Sequence, residues 1–124
     1  MAKILIVDDD IETTSLLESI IKTYGHEPFS INESKHALES TKSLMPDLIL
    51  LDIMMAEING IAICKFIKSD SSISHIPVVM VSALGDEGTK RDAANAGANA
   101  FITKPIIPNK FMQEINAILG EQRH

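Results

Sequence analysis

The chain has 124 residues, enough for one domain with a buried core and too few for two ordinary ones. Its net charge of −6, with no local cluster of Lys and Arg, argues against a nucleic-acid-binding surface, and no apolar stretch approaches the ~20 residues of a membrane-spanning helix. Cys64 is the only cysteine and no secretory signal pattern is present, so we expect a protein without disulfides, in the cytoplasm.

Short runs of β-branched and other apolar residues predict five strands, and stretches with apolar residues at helical spacing follow them. Glycine and proline mark several boundaries: Gly25 ends the first helix, Pro46 precedes the third strand and Gly120 ends the last helix. The elements predicted in chain order are strand 4–7, helix 11–24, strand 27–31, helix 33–44, strand 47–52, helix 58–68, strand 76–82, helix 86–97, strand 100–103 and helix 108–119.

Five strands alternating with five helices predict an α/β fold, in which parallel strands are joined by right-handed crossovers into a doubly wound sheet with helices on both faces. Alternation alone does not fix the strand order. We expect the flavodoxin-like order 2-1-3-4-5; the switch point then lies between strands 1 and 3, and ligands bind beyond the carboxyl ends of those strands. No repeat or linker divides the sequence, so residues 1–124 are expected to form one domain.

Charged or polar side chains follow the strands at this edge of the sheet: Asp8 and Asp9, then Asp52, and finally Ser82 and Lys104. Neighbouring carboxylates repel one another unless a proton or a cation neutralises them. Mg²⁺ suits such a site, because it binds one or two carboxylates and shares its other positions with water and phosphate. A carboxylate can then attack phosphorus and form an aspartyl phosphate, while a hydroxyl and an ammonium bind the phosphoryl oxygens.

Four motifs that contain these residues, ILIVDDD, LILLDIMMAEINGI, VVMVSA and AFITKPI, resemble those of the receiver domains of two-component response regulators, of the chemotaxis-regulator kind. The resemblance extends over essentially the whole chain. It implies that Asp52 is the phosphoacceptor and that Lys104 and Ser82 assist the transfer. It also implies that Asp8, Asp9 and Asp52 hold Mg²⁺ together with the backbone carbonyl of Met54, Asp8 acting through water.

The same resemblance implies a switch, in which Ser82 and Phe101 rearrange on phosphorylation and alter the surface of helix 4, strand 5 and helix 5. It further implies a cis bond between Lys104 and Pro105. The implied partners are a sensor histidine kinase or a phosphotransfer protein, and a downstream protein target or a fused output domain. Phosphorylation-dependent homodimers are a further implication. Such a domain catalyses only its own phosphotransfer and dephosphorylation.

The chain departs from the family pattern in the loop after Asp52. Relatives usually carry Met-Pro where this chain has Met55 and Ala56, so the loop lacks a rigidifying proline. Met54 and Leu84 stand where relatives tune the phosphoryl lifetime, often with polar groups. Two apolar side chains predict slow self-dephosphorylation, because they would hinder an attacking water.

Two other functions stay open. Asp8 and Asp10 form an Asp-x-Asp pair like that of haloacid-dehalogenase-type phosphohydrolases, with Asp8 as nucleophile, although the chain is short and no acidic pair follows Lys104. A degenerate receiver used purely as a binding module is the third reading. Among the single residues, Ser82 as a plain loop serine and Phe101 as a core aromatic are the main alternatives.

Overall fold

The computed structural model describes residues 1–122, which form one sheet with helices on both of its faces. The strands and helices are β1 (Lys3–Val7), α1 (Ile11–Thr23), β2 (Glu27–Ile31), α2 (Ala37–Leu44), β3 (Leu48–Leu51), α3 (Gly60–Ser69), β4 (Val78–Ser82), α4 (Glu87–Asn95), β5 (Ala100–Thr103) and α5 (Pro108–Gln122). All neighbouring strands are parallel, in the order β2-β1-β3-β4-β5. The predicted fold class and strand order are confirmed.

The three central strands are buried on both faces. One face packs against α1 and α5, through residues such as Leu17, Ile21 and Ile115, and the other against α2, α3 and α4. All residues of β3 and β4, and all of β1 but its first, are buried. This explains why the sequences of these strands are unbroken apolar runs, since both faces of the sheet are shielded from water.

Two glycines that were each predicted to end a helix differ in the structure. Gly25 follows α1 with a φ of 86°, so the prediction that it ends the helix is correct. Gly120 was expected to end α5 in the same way, and that is wrong, because the helix continues to Gln122. Glycine ends a helix where the chain must turn through a residue with a positive φ. Gly25 is such a residue, because β2 begins only two residues later, at Glu27.

Two predicted helices begin at least two residues later than expected. The segment 33–44 starts with a 3₁₀ turn, Ser34–His36, before α2 begins at Ala37. The third helix begins at Gly60 rather than at 58, because Asn59 is its N-cap and its side chain accepts a hydrogen bond from the Ile61 N–H at 2.8 Å. Within the described part of the chain, none of the helices has the length and apolar character required to cross a lipid bilayer.

Candidate functional site

The carboxyl ends of β1 and β3 lie side by side and bring the acidic residues together. Val7 pairs with Leu51 in the sheet register, so the next residues of the two strands, Asp8 and Asp52, are neighbours. The Asp52 N–H extends the ladder by donating to the Val7 carbonyl at 3.0 Å. Carboxylate oxygens of Asp8, Asp9 and Asp52 all lie within 4.8 Å of one another, and we call these three residues the acidic cluster.

Asp8 is the most firmly held member of the cluster. Its side chain is buried; Oδ1 accepts the Asp10 N–H at 2.9 Å and Oδ2 lies 3.3 Å from the Lys104 ammonium. Its backbone carbonyl accepts a hydrogen bond from the side-chain amide of Asn32, also at 2.9 Å. Main chain and side chain are therefore both fixed, by three different segments.

Asp52 lies opposite, and only 7% of it is exposed. Its Oδ1 accepts the Ile53 N–H at 2.9 Å and lies 3.9 Å from the Lys104 ammonium. Burial first, and then the charge of Asp8, raise the pKa of Asp52 to about 6, although Lys104 acts in the opposite direction. One ammonium therefore does not fully compensate the repulsion within the cluster.

Asp9 is exposed, and its Oδ2 accepts a hydrogen bond from the N–H of Ala56, in the loop after β3, at 2.9 Å. Each carboxylate of the cluster thus accepts one backbone N–H. Oδ1 of Asp9 and Oδ2 of Asp52 have no hydrogen-bond donor among residues 1–122. Two carboxylate oxygens that lack donors, in a site made of oxygen atoms, fit a hard divalent cation such as Mg²⁺.

Ser82 and Lys104 lie at the ends of the next two strands. Ser82 is buried and its hydroxyl accepts the Leu84 N–H at 3.1 Å, while its carbonyl accepts the Lys104 N–H at 2.9 Å. The Lys104 ammonium bridges Asp8 and Asp52, as described above. The peptide bond between Lys104 and Pro105 is cis.

Two further predicted site residues, Phe101 and Met54, have apolar side chains outside the acidic cluster. Phe101 pairs with Met80 in the sheet and is half-buried, packed against the core cluster that α2, α3 and α4 cover. The Lys90 ammonium lies 6.0 Å from the centre of its ring, at the outer limit of a cation–π contact. The side chain of Met54 is 63% exposed, directly beyond β3.

The structure adds three residues that the sequence did not indicate. Asn32 holds the Asp8 carbonyl, and Ser34, in the same loop, accepts the Ile58 N–H at 3.0 Å. Gly60 begins α3 directly against the end of β3, because a Cβ there would lie 1.9 Å from the Asp52 carbonyl oxygen. A glycine at the first turn of a helix is a visible signal, but the roles of Asn32 and Ser34 depend on contacts between distant loops.

Comparison with known proteins gives consistent results. The family described as the response regulator receiver domain matches residues 4–116. The polar-differentiation response regulator DivK of Brucella anthropi is 32% identical over 118 residues, which cover 95% of this chain and 96% of DivK. The crystal structure of a CheY-like response regulator receiver domain protein from Methanospirillum hungatei superimposes with a TM-score of 0.91 at 26% identity, covering 99% of this chain and 97% of the other.

A longer protein also contains this fold. NtrX from Brucella abortus is 30% identical, with a TM-score of 0.88. The match covers 98% of this chain and 28% of NtrX. The same domain therefore occurs both in proteins of this length and as one part of a larger one.

Proposed function

The chain belongs to the response regulator receiver family, and we propose from this that Asp52 accepts a phosphoryl group from a phosphohistidine on a sensor histidine kinase or a phosphotransfer protein. The observation that supports Asp52 most strongly is its setting. It is a buried carboxylate with a pKa of about 6, it faces Lys104, and its Oδ2 has no donor among the described residues. We further propose that residues 1–124 act as a single receiver domain in the cytoplasm.

In this proposal Asp9, Asp52 and the Met54 carbonyl hold Mg²⁺ directly, and Asp8 holds it through water. When bound, the ion supplies positive charge that offsets the negative charge of the phosphoryl oxygens. Asp8 is suited to the indirect role, because Asp10 and Lys104 already occupy its two oxygens. Asp9 and Asp52 each keep an oxygen with no donor in residues 1–122.

The transfer itself is a displacement at phosphorus. An oxygen of Asp52 forms the new O–P bond as the N–P bond of the donor breaks, and the histidine nitrogen keeps the electron pair of that bond. The Lys104 ammonium, now between two carboxylates, turns to a phosphoryl oxygen, and the Ser82 hydroxyl donates a hydrogen bond to another. Return to the starting state requires water to attack the aspartyl phosphate.

We propose that Ser82 and Phe101 report this change to the surface. The Ser82 hydroxyl uses its oxygen to accept the Leu84 N–H, so its own proton is available to a phosphoryl group. Movement of Ser82 would reach β5, because the Ser82 carbonyl bonds the Lys104 N–H. Phe101 lies in β5 and is only half-buried, so its side chain has room to move. In this proposal α4, β5 and α5 form the surface that responds, and that surface binds a protein target, an output domain or a second copy of the chain.

The loops around the acidic cluster also suit a protein phosphodonor. Four large apolar side chains are exposed around this edge of the sheet, one at the start of α1 and one in each of the loops that follow β3, β4 and β5. A partner that delivers phosphohistidine to Asp52 must approach these loops, and apolar contacts there would add binding energy. The four side chains are Ile11, Met54, Leu84 and Ile107.

The test is intact-protein mass spectrometry after incubation with Mg²⁺ and acetyl phosphate. We expect one hydroxylamine-labile phosphoryl adduct on the wild type and on Asp70→Asn, whose carboxylate is partly exposed, lies outside the acidic cluster and is paired with Lys42. Asp52→Asn should give no adduct, and EDTA should abolish it in the wild type.

Two outcomes would contradict the proposal. An adduct that persists in Asp52→Asn and disappears in Asp8→Asn would indicate the hydrolase alternative. Absence of an adduct with both acetyl phosphate and a phosphohistidine donor would indicate a binding module without phosphotransfer.

A further inference from the structure

We propose that the backbone N–H of Ala56 is a positioning donor for the metal site, holding the Asp9 carboxylate toward the acidic cluster before a cation binds. The inference rests on the proposed function, because it takes Asp9 as a ligand of Mg²⁺. The methyl group of Ala56 takes no part. The role belongs to its main chain.

Asp9 is the member of the cluster that most needs such a contact. Asp8 is buried and bound by two partners, and Asp52 is buried against the start of α3. Asp9 is exposed, and within residues 1–122 the Ala56 N–H is the one hydrogen-bond donor to its side chain. An exposed carboxylate without that bond would turn freely toward solvent, and binding a cation would then cost its rotamer entropy.

The bond also connects two loops that are far apart in the sequence. Asp8 and Asp52 accept N–H groups from within their own loops, Asp10 and Ile53. Asp9 accepts from a residue 47 positions away, in the loop between β3 and α3. Asp9 is therefore fixed relative to the loop that follows Asp52, the same loop that carries the proposed carbonyl ligand.

The geometry is compatible with a cation at the same time. The cluster oxygens already lie within 4.8 Å of one another while the Ala56 bond is present. A carboxylate has two oxygens and about four acceptor positions, so one oxygen can keep the N–H while the other binds metal. Hydrogen bonds of this kind orient metal ligands, and their loss typically weakens metal binding about 10- to 100-fold.

Proline is the substitution that removes this donor, because it has no N–H. The experiment is a calorimetric Mg²⁺ titration of the whole chain without any phosphodonor. We expect Ala56→Pro to bind Mg²⁺ about tenfold more weakly than the wild type, at the lower end of that range because the bond is exposed. Ala56→Gly keeps the N–H and should stay within about twofold of the wild type.

A double-mutant cycle separates the donor from a general change in the loop. If Ala56 acts through Asp9, then adding Ala56→Pro to Asp9→Ala should change the remaining Mg²⁺ affinity by no more than about twofold. A tenfold loss that persists in the Asp9→Ala background would overturn the proposal. So would equal losses in Ala56→Pro and Ala56→Gly, since only one of them lacks the donor.

An NMR measurement on the metal-free protein tests the contact even if Ala56→Pro does not fold. The Ala56 amide proton should move upfield and exchange faster with solvent in Asp9→Ala than in the wild type, and an unchanged resonance would overturn the inference. Failure of the proposed function looks different, because the wild type would then form no phosphoryl adduct on Asp52, whatever its affinity for Mg²⁺. A wild type and an Ala56→Pro variant that bind Mg²⁺ equally well would refute only the role of Ala56.

Discussion

Replacing Asp52 with Asn should stabilise the metal-free protein at neutral pH. The pKa of Asp52 is about 6 in the folded protein, against an ordinary value of 3.8, so the folded state binds this proton more tightly than the unfolded chain does. Protonation therefore stabilises the fold. That contribution is complete below about pH 4 and is lost as the pH rises through 6, which leaves a destabilising carboxylate at neutral pH.

The pKa difference sets an upper limit of about 3 kcal/mol, at roughly 1.4 kcal/mol per pKa unit. Solvent reaches the cluster beside the exposed Asp9, and its screening reduces this figure. We therefore expect Asp52→Asn to raise the free energy of unfolding by roughly 1.5 kcal/mol at pH 7.5. At pH 5 most Asp52 side chains already carry a proton, so the gain should fall to about half. The amide oxygen of Asn can still accept the Ile53 N–H that Asp52 binds.

Urea unfolding in EDTA, at pH 7.5, 6 and 5, measures the difference between variant and wild type. Histidine titration is common to both proteins and cancels in that difference. Asp70→Asn is the matched control. Hydrogen bonds from Ser72 and Lys42 lower the pKa of Asp70 to about 2, so its carboxylate is charged throughout this range, and the substitution should destabilise equally at each pH. A gain for Asp52→Asn that does not change with pH, or a loss at pH 7.5, would refute the reasoning.

Three further substitutions test the surroundings of Asp52. Gly60→Ala should lower the free energy of unfolding by roughly 3 kcal/mol, because the new Cβ would clash with the Asp52 carbonyl oxygen. At Gly120 a Cβ meets nothing within 4 Å, so Gly120→Ala should be neutral or slightly stabilising. Thermal unfolding of both variants measures the difference. Asn32→Ala should lower the unfolding free energy by about 1–2 kcal/mol and slow phosphorylation by acetyl phosphate, since it removes a donor from the loop after β1. Met54→Asn should speed decay of the aspartyl phosphate several-fold, measured by mass against time, and an unchanged rate would contradict the shielding role of that side chain.

The sequence predicts the acidic cluster because it depends on two robust patterns. Apolar runs identify the strands that are buried on both faces, and the carboxyl ends of parallel strands meet at one edge. Asp8 and Asp52 end two such runs, so their proximity follows once the strand order is that of the flavodoxin-like fold. Alternation alone does not fix the strand order, so the sequence brings Asp8 and Asp52 together only for the order 2-1-3-4-5, which the structure has.

The supporting contacts could not be predicted in this way, since they join loops. Asn32 binds the loop after β1 and Ser34 binds the loop after β3, although neither follows a periodic pattern. Loop residues are placed by the ends of several elements at once, and small shifts change their partners. Gly25 and Gly120 illustrate the same limit, because a similar local signal ends one helix and lies within another.

The rigidity of the sheet and the charge at its edge together make the acidic cluster suited to a cation. The pairing of Val7 with Leu51, inside a dry core, leaves Asp8 and Asp52 no room to move apart. Three carboxylates and the single ammonium of Lys104 leave two negative charges at neutral pH, which one divalent cation would cancel and one proton would only halve. Proton and cation compete for the same oxygens, so below about pH 6 the uptake of Mg²⁺ requires release of a proton. The stability expected to be gained in Asp52→Asn and the proposed affinity for Mg²⁺ would therefore have the same origin, the repulsion that the strand register imposes.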